Sequence, residues 1–434
     1  MPSSTLATKT STFPVERTTL PNGLRVVVSP DRTSPVVAVA VYYDVGIRSE
    51  PEGRTGFAHL FEHLMFQGSA SLGKMEHVSY VQKSGGTLNG STRLDYTNYY
   101  EALPSHALER ALFLEADRMR APRITEENLA NQIAVVKEEI RVNVLNQPYG
   151  GFPWLTLPPV LFETFPNAHN GYGSFEDLET ATVADAEDFF ARYYAPGNAV
   201  LAVGGDLDAD EALRLAELHF GDIAAREVPA MPDFGEPEPT EERRAEQVDE
   251  LATAPAVALG WRAPDPADLA TYLPCVVLTS VLSSGDASRL RRRLVQEERL
   301  VSEVSAYIGV MQDPFDVRDP TVFAIEAHHA NEIPTDQVVR VVDEELARIA
   351  DEGLTGNELA RVQARLRSRL VQGFDHVLNR TLSMAVFEQQ RSRAELVMEL
   401  PGLVAAVQPA QVQAAAARLG TDNRARLDLL AGVR

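Results

Sequence analysis

The chain is 434 residues long, more than one hydrophobic core usually organises, so two or more domains are expected. Hydrophobic residues make up 44% and charged residues 24%, and no apolar run approaches the roughly 20 residues that a membrane-spanning helix needs. The 62 acidic against 40 basic residues give a net charge of −22, which argues against nucleic acid as a partner because phosphate contacts need a basic field.

That charge either serves solubility or lines an interior that attracts basic peptides. The first residues, Met1 to Lys9, carry no apolar segment of the secretory kind. Up to Val15 the chain is rich in Ser and Thr and free of acid. It reads as a flexible tail of a cytoplasmic protein, a mitochondrial matrix location being the weaker alternative. The single cysteine, Cys275, lies in the apolar run from Leu273 to Leu278 and reads as a buried hydrophobe. One cysteine rules out an intrachain disulfide and a cysteine metal cluster, and fits a reducing compartment.

The turn signal Asn22-Gly23 precedes a strand from Leu24 to Val28, and Val36 to Tyr43 is a second, Val-rich strand. Thr55 to Gln67 reads as a helix closed by Gly68. After Gly85-Gly86, Thr87 to Tyr100 reads as a strand hairpin, followed by helices over about 104–120 and 125–146. A strand from Asn198 to Val203 and a helix capped by Asp208 and closed by Gly221 end the first half. Residues 226–245 are rich in proline and acid, with little apolar content, and read as a linker between a domain at 1–225 and another at 246–434. The second half starts again with a strand from Ala254 to Trp261 and a helix from about Ala267. Strands near 302–311 and 321–329 and helices near 335–350 and 355–372 follow. The expected fold class is therefore α+β, in two related domains.

The chemistry concentrates in His59-Leu60-Phe61-Glu62-His63. Residues four apart on a helix share one face, so both imidazoles can reach one zinc ion at about 2.0–2.1 Å. Glu62 borders that face and can take a proton from a water on the ion, whose pKa falls from about 15.7 to about 7. The order His-x-x-Glu-His inverts the commoner His-Glu-x-x-His. Two histidines and a glutamate in an otherwise apolar helix are costly unless something pairs with them. A catalytic zinc site needs a third protein ligand. On the second helix, Leu129, Ile133, Val136 and Ile140 mark the inward face, which Glu139 flanks, while Glu138 points more to solvent. Spacing by itself leaves open that both are surface charges.

Three stretches together resemble the pitrilysin/insulysin family of zinc peptidases, which includes the mitochondrial processing peptidases. They are Gly56 to Gly68 with the inverted motif, Gly85-Gly86-Thr87-Leu88-Asn89-Gly90-Ser91-Thr92 with Thr97-Asn98-Tyr99-Tyr100, and Val135 to Glu139. The resemblance implies one zinc ion per chain on His59, His63 and Glu139, the last lying 76 residues beyond His63. It implies two α+β domains facing each other around a closed chamber. It also implies that a peptide substrate adds as a strand near Gly86 to Thr92, with Asn89 beside the scissile bond and Gly90 and Thr92 on the same edge.

Two departures stand out. Gln132 occupies the place, seven residues before the distal ligand, where the family usually has an acidic residue, and is expected to adjust the ligands from behind. In the second half, Val295 and Ser302 stand where many members carry an Arg and Tyr pair that binds substrate and stabilises the oxyanion, with Arg293, Arg299 and Tyr307 nearby. Heterodimeric family members divide these duties between subunits. The expectation is a zinc endopeptidase that works with a homologous partner carrying the Arg/Tyr pair. The alternatives are a self-sufficient homodimer and a zinc-stabilised, non-catalytic assembly or binding subunit.

Overall fold

The computed structural model describes residues 13–311 and 313–432, so the Ser/Thr-rich tail up to Thr12 lies outside the described residues. In chain order the strands are β1 (Glu16–Thr19), β2 (Arg25–Pro30), β3 (Val36–Tyr43), β4 (Thr87–Thr92), β5 (Thr97–Pro104), β6 (Ala199–Gly205), β7 (Arg243–Asp249), β8 (Ala256–Arg262), β9 (Val301–Ile308), β10 (Val322–His329) and β11 (Arg424–Ala431). The helices of the first half are α1 (Phe57–Leu64), α2 (Glu76–Lys83), α3 (Leu108–Arg120), α4 (Glu126–Ile140), α5 (Pro158–Leu161), α6 (Phe165–Ala168), α7 (Phe175–Glu179), α8 (Val183–Tyr193) and α9 (Ala209–Phe220). Those of the second are α10 (Leu269–Ser283), α11 (Thr335–Glu352), α12 (Gly356–Asp375), α13 (Val377–Arg391), α14 (Leu396–Ala406) and α15 (Pro409–Ala417). The fold is α+β, with two sheets. None of these helices is long and apolar enough to cross a membrane.

The first sheet has the order β1-β2-β6-β3-β5-β4 and the second β7-β11-β8-β10-β9. Within each, the first strand of the repeat pairs in parallel with the last, β2 with β6 and β7 with β11, and the remaining pairs are antiparallel. Leaving β1 aside, the two sheets have one connectivity, so the halves repeat at the level of topology. Strand β7 shows where the reading of the linker ran too far. Residues 243–245 lie in this strand. Its alternation of half-buried and exposed positions runs mostly through Arg, Glu, Gln and Asp, with Ala245 and Val248 its two apolar residues, so composition hid it.

Alternation along the central strands sends side chains into two different cores. Val39, Val41, Tyr43, Leu201 and Val203 join α1, α3 and α9 in one cluster. Ala40, Tyr42, Val200 and Ala202 face the other way, into a cluster with Val276, Met384 and Phe387 of the second half. Helix α13 packs on β3 and β6 of the first sheet. It lies so close that a Cβ on Gly204 would stand 2.4 Å from Thr381 Oγ1. The exchange is mutual. Phe152, Leu157, Leu161 and Phe162 of the first half cover Ala256, Ala258, Ala324 and Leu427 of the second sheet. Asp31 and Arg380, both buried, pair across the halves at 2.6 Å. Each half thus completes the other's core, which the expected boundary near residue 225 did not anticipate.

Candidate active site

Helix α1 buries Phe57, Ala58, Leu60, Phe61 and Leu64 and turns His59, Glu62 and His63 to an open cavity. Its start is fixed from two sides. The carboxylate of Glu50 accepts hydrogen bonds from the Gly56 and Ala58 amides at 2.9 and 2.7 Å and lies 3.0 Å from His169 Nε2. A carboxylate there also complements the helix dipole. Gly56 has φ +80°, and a Cβ at this position would stand 2.4 Å from the Tyr172 carbonyl oxygen. The zinc-motif helix is therefore seated directly against the segment that carries Tyr172. It is also shorter than the expected span from Thr55 to Gln67.

Helix α4 is capped by Thr125, whose hydroxyl accepts from the Asn128 amide. It buries Leu129, Gln132, Val136 and Ile140 and packs against α1. That register brings Glu139 to the histidines and leaves Glu138 exposed. His59 Nε2 and His63 Nε2 are 3.3 Å apart, and Glu139 oxygens lie 3.8 Å from the first and 3.4 Å from the second. Donors held about 2.0–2.1 Å from a tetrahedral zinc ion stand roughly 3.3–3.4 Å apart, so the residues present fit the metal.

The electrostatics agree with that fit. Burial, reinforced by the neighbouring His63, pushes His59 down to about 4 and leaves its ring neutral, the form that ligates a metal. Burial also works against charge on His63, but Glu139, Glu62 and Gln132 outweigh it and raise its pKa. Hydrogen bonding to His63 lowers that of Glu139. Burial raises that of Glu62, opposed by the Thr92 hydrogen bond and by the charges of His63 and Arg93.

The substrate-edge residues divide into two groups. Thr92 is buried, and its hydroxyl donates to Glu62 Oε2 at 2.7 Å. Its side chain therefore orients the glutamate, and only its backbone remains for a peptide. Asn89 is exposed, and its Oδ1 accepts from the Gly90 amide at 2.9 Å. Gln132 is buried behind the site, bonds Asn131 at 2.9 Å and hydrogen-bonds His63. Tyr172 carries no motif in the sequence, yet its hydroxyl donates to Glu139 Oε1 at 3.2 Å and its ring stands edge-on to His59 at 5.2 Å.

Beneath β4 and β5, the described residues hold a second cluster of metal-type donors, His77, Glu101 and Glu115. The Arg118 guanidinium fills it, bonding Glu115 and stacking over Tyr99 and Phe66 at 4.4 and 5.1 Å. Burial holds the Glu101 carboxyl well above the usual range, so this cluster is a neutralised part of the core.

The cavity at the motif measures about 400 Å³ and is lined by His59, Glu62, His63, Glu139, Asn89 to Arg93, Tyr100 and Tyr172. The second half contributes Met311 to its wall. A larger cavity of about 690 Å³ opens beside it between the halves, bounded by Tyr42, Arg93 and Tyr96 on one side and Val276, Phe374 and Phe387 on the other. Val295 packs against the second-half core, and Ser302 donates to the His328 carbonyl on an exposed edge. Arg293 is held by Glu298, Glu344 and Glu345, and the Tyr307 hydroxyl bonds Glu326. None of Val295, Ser302, Arg293, Arg299 and Tyr307 is among the residues lining the cavity at the motif.

Two family models match the chain in succession, "Insulinase (Peptidase family M16)" over residues 25–149 and "Peptidase M16 inactive domain" over residues 180–366. The zinc protease PqqE of Helicobacter pylori is 30% identical over 301 residues, covering 69% of this chain and 67% of that protein. The chain belongs to peptidase family M16. A solved structure of a protease from Helicobacter pylori superposes with a TM-score of 0.87 over 96% of this chain and 100% of that one, at 24% identity. The beta subunit of the bovine mitochondrial-processing peptidase is 28% identical, across 57% of this chain and 51% of that protein. In this M16 chain the motif, the distal carboxylate and the edge strand fall within the first matched region, 25–149. Tyr172 falls between the two.

Proposed function

We propose that the chain is a zinc-dependent endopeptidase that cleaves extended or unfolded peptides, precursor or leader segments among them, with Glu62 as general base. The observation that carries this reading is the convergence of His59, His63 and Glu139 at tetrahedral spacing, with Glu62 beside them and an unpaired sheet edge alongside. Strand β4 is the last in its sheet, so an extended peptide can pair with it through main-chain hydrogen bonds. Zinc, when bound by His59, His63 and Glu139, supplies a Lewis acid and an acidified water. Glu62, held by Thr92, takes up the proton of the attacking water and can return it to the leaving amine. Neutral His59, together with His63 braced by Gln132, fits the metal-holding role, and Tyr172 fixes the Glu139 carboxylate.

The proposal extends to a partner. Val295 and Ser302 place no cation or phenol at the zinc cavity, which supports a second, homologous subunit supplying the Arg/Tyr pair. A cytoplasmic location completes the proposal and rests on the lone buried Cys275. The test combines metal analysis with peptide cleavage, for the chain alone and with a co-expressed homologue lacking the motif. Glu62→Gln should keep about one zinc per chain and lose cleavage by at least about a hundredfold, whereas His59→Ala should lose both. Full cleavage by Glu62→Gln would overturn Glu62 as the general base, and zinc binding without cleavage by the parent, alone or with the homologue, would favour the zinc-stabilised binding subunit. Full turnover by the chain alone would remove the partner and leave the self-sufficient homodimer.

A further inference from the structure

Arg93 follows β4 directly and lines both the cavity at the motif and the larger cavity beside it. It is half-buried, and its guanidinium donates one long hydrogen bond of 3.4 Å, to the Thr92 carbonyl. Among the described residues no carboxylate lies within ion-pair distance of it. Most of the chain's other half-buried arginines are committed. Arg262, Arg289, Arg293 and Arg318 each hold a carboxylate. In a chain with a net charge of −22, an uncommitted cation in the cavity wall beside the proposed base is an exception.

The geometry of the edge says what reaches it. The Arg93 amide donates to the Tyr96 carbonyl at 2.8 Å and its carbonyl accepts from the Ile47 amide at 2.9 Å, so both backbone groups of Arg93 are engaged within the chain. Hydrogen-bonded and non-bonded pairs alternate in an antiparallel ladder. With Ser91 opposite Asn98 and Asn89 opposite Tyr100, the backbones of Leu88, Gly90 and Thr92 face the free edge. The base lies at the same level, since Glu62 bonds Thr92 and its Oε1 would stand 3.1 Å from a Cβ on Gly90. Arg93 is three residues beyond Gly90, about 10 Å of strand. A peptide paired with this edge therefore carries a side chain or terminus to the guanidinium within about three residues of the bond at the metal.

The groups facing Arg93 leave its charge available. Glu62 and Asp316 lie within its electrostatic reach without an ion pair to it. Asp316 hydrogen-bonds Tyr96, and burial beside Asp313 pushes its carboxyl up to about 7, so its negative charge is partial at neutral pH.

We infer that Arg93 is a specificity residue that binds a substrate carboxylate close to the scissile bond, either an acidic side chain or the C-terminus of a short peptide. This inference rests on the peptidase reading above and runs counter, at this cavity, to the alternative of an interior that attracts basic peptides.

The test uses fluorescent decapeptides in which Glu, Gln or Lys occupies each of three positions on either side of the cleaved bond, with free or amidated C-termini. Binding to the zinc-loaded Glu62→Gln chain is read by anisotropy, and cleavage by the parent chain is read separately. The expected result is about tenfold tighter binding of Glu than of Lys at one position. Arg93→Gln abolishes the ratio and Arg93→Glu inverts it. A ratio seen with amidated peptides assigns the side chain. Affinity lost on amidation, with no response to internal Glu, assigns the terminal carboxylate. An unchanged ratio in Arg93→Glu, or no preference in the parent at any position together with no loss of affinity on amidation, overturns the inference. Loss of cleavage alone, with the binding ratio intact, would count against the peptidase reading and not against Arg93.

Discussion

Tyr172 sits in a loop, with its ring 5.2 Å from His59 and its hydroxyl on Glu139 Oε1. In the proposed zinc site, holding one oxygen of Glu139 in this way would leave the other free for the metal. Tyr172→Phe removes that hydrogen bond while keeping the ring. It should weaken zinc binding by about 10-fold to 100-fold in competition titrations against a chelator. Unchanged affinity would mean that α4 alone fixes Glu139. The motif residues were legible because helical periodicity puts them on one face, whereas spacing left Glu139 open as a surface charge and only the family resemblance singled out Asn89. Tyr172 was not legible, because its position depends on the close approach of Gly56 to its own backbone, a tertiary contact with no sequence period. Thr92 was legible as an edge residue, but its hydroxyl turned out to serve Glu62.

At the scale of elements, the strands rich in β-branched residues and the long helices α11 and α12 fall where the sequence puts them. Short helices such as α5 to α7 did not stand out, since four or five residues are too few to show a period. Helix α13 is the most informative of the elements that went unread. Its buried face carries Arg380 and Thr381, polar residues that look like surface until Asp31 and Gly204 of the first sheet are placed against them. Burial works against charge on Asp31, but the Thr33 bonds and Arg380 outweigh it and hold its pKa below the ordinary carboxylate value. A depressed carboxylate stabilises the fold above its unfolded pKa of about 3.9, and the gain is lost as pH falls through the folded value. Asp31→Asn leaves Arg380 buried without its partner and should cost about 3–5 kcal/mol at pH 7, with a smaller difference from the parent near pH 3. Denaturant unfolding at the two pH values measures both. An equal difference at each would show that the ionised pair is not what is lost.

At the scale of the whole molecule, the repeated topology gives two similar sheets with different duties. The first half carries the motif on the helix that follows β3. The helix in the same place after β8 is α10, whose sequence is almost wholly apolar and holds no metal donors beyond the buried Cys275. The repeat was visible as a succession of similar elements. The exchange of covering segments was not, because hydrophobic patterning shows that a face is buried without showing what covers it.

That exchange means the peptide bonds joining the halves are not what keeps them together. Residues 230–233 are exposed, and a protease site built there can be cut without touching either core. After cutting, the pieces should still elute as one particle of unchanged size, with zinc content and peptide binding retained. Pieces that separate without denaturant would show the contrary. The protein is in effect a handshake, in which each partner's grip is made of the other's chain.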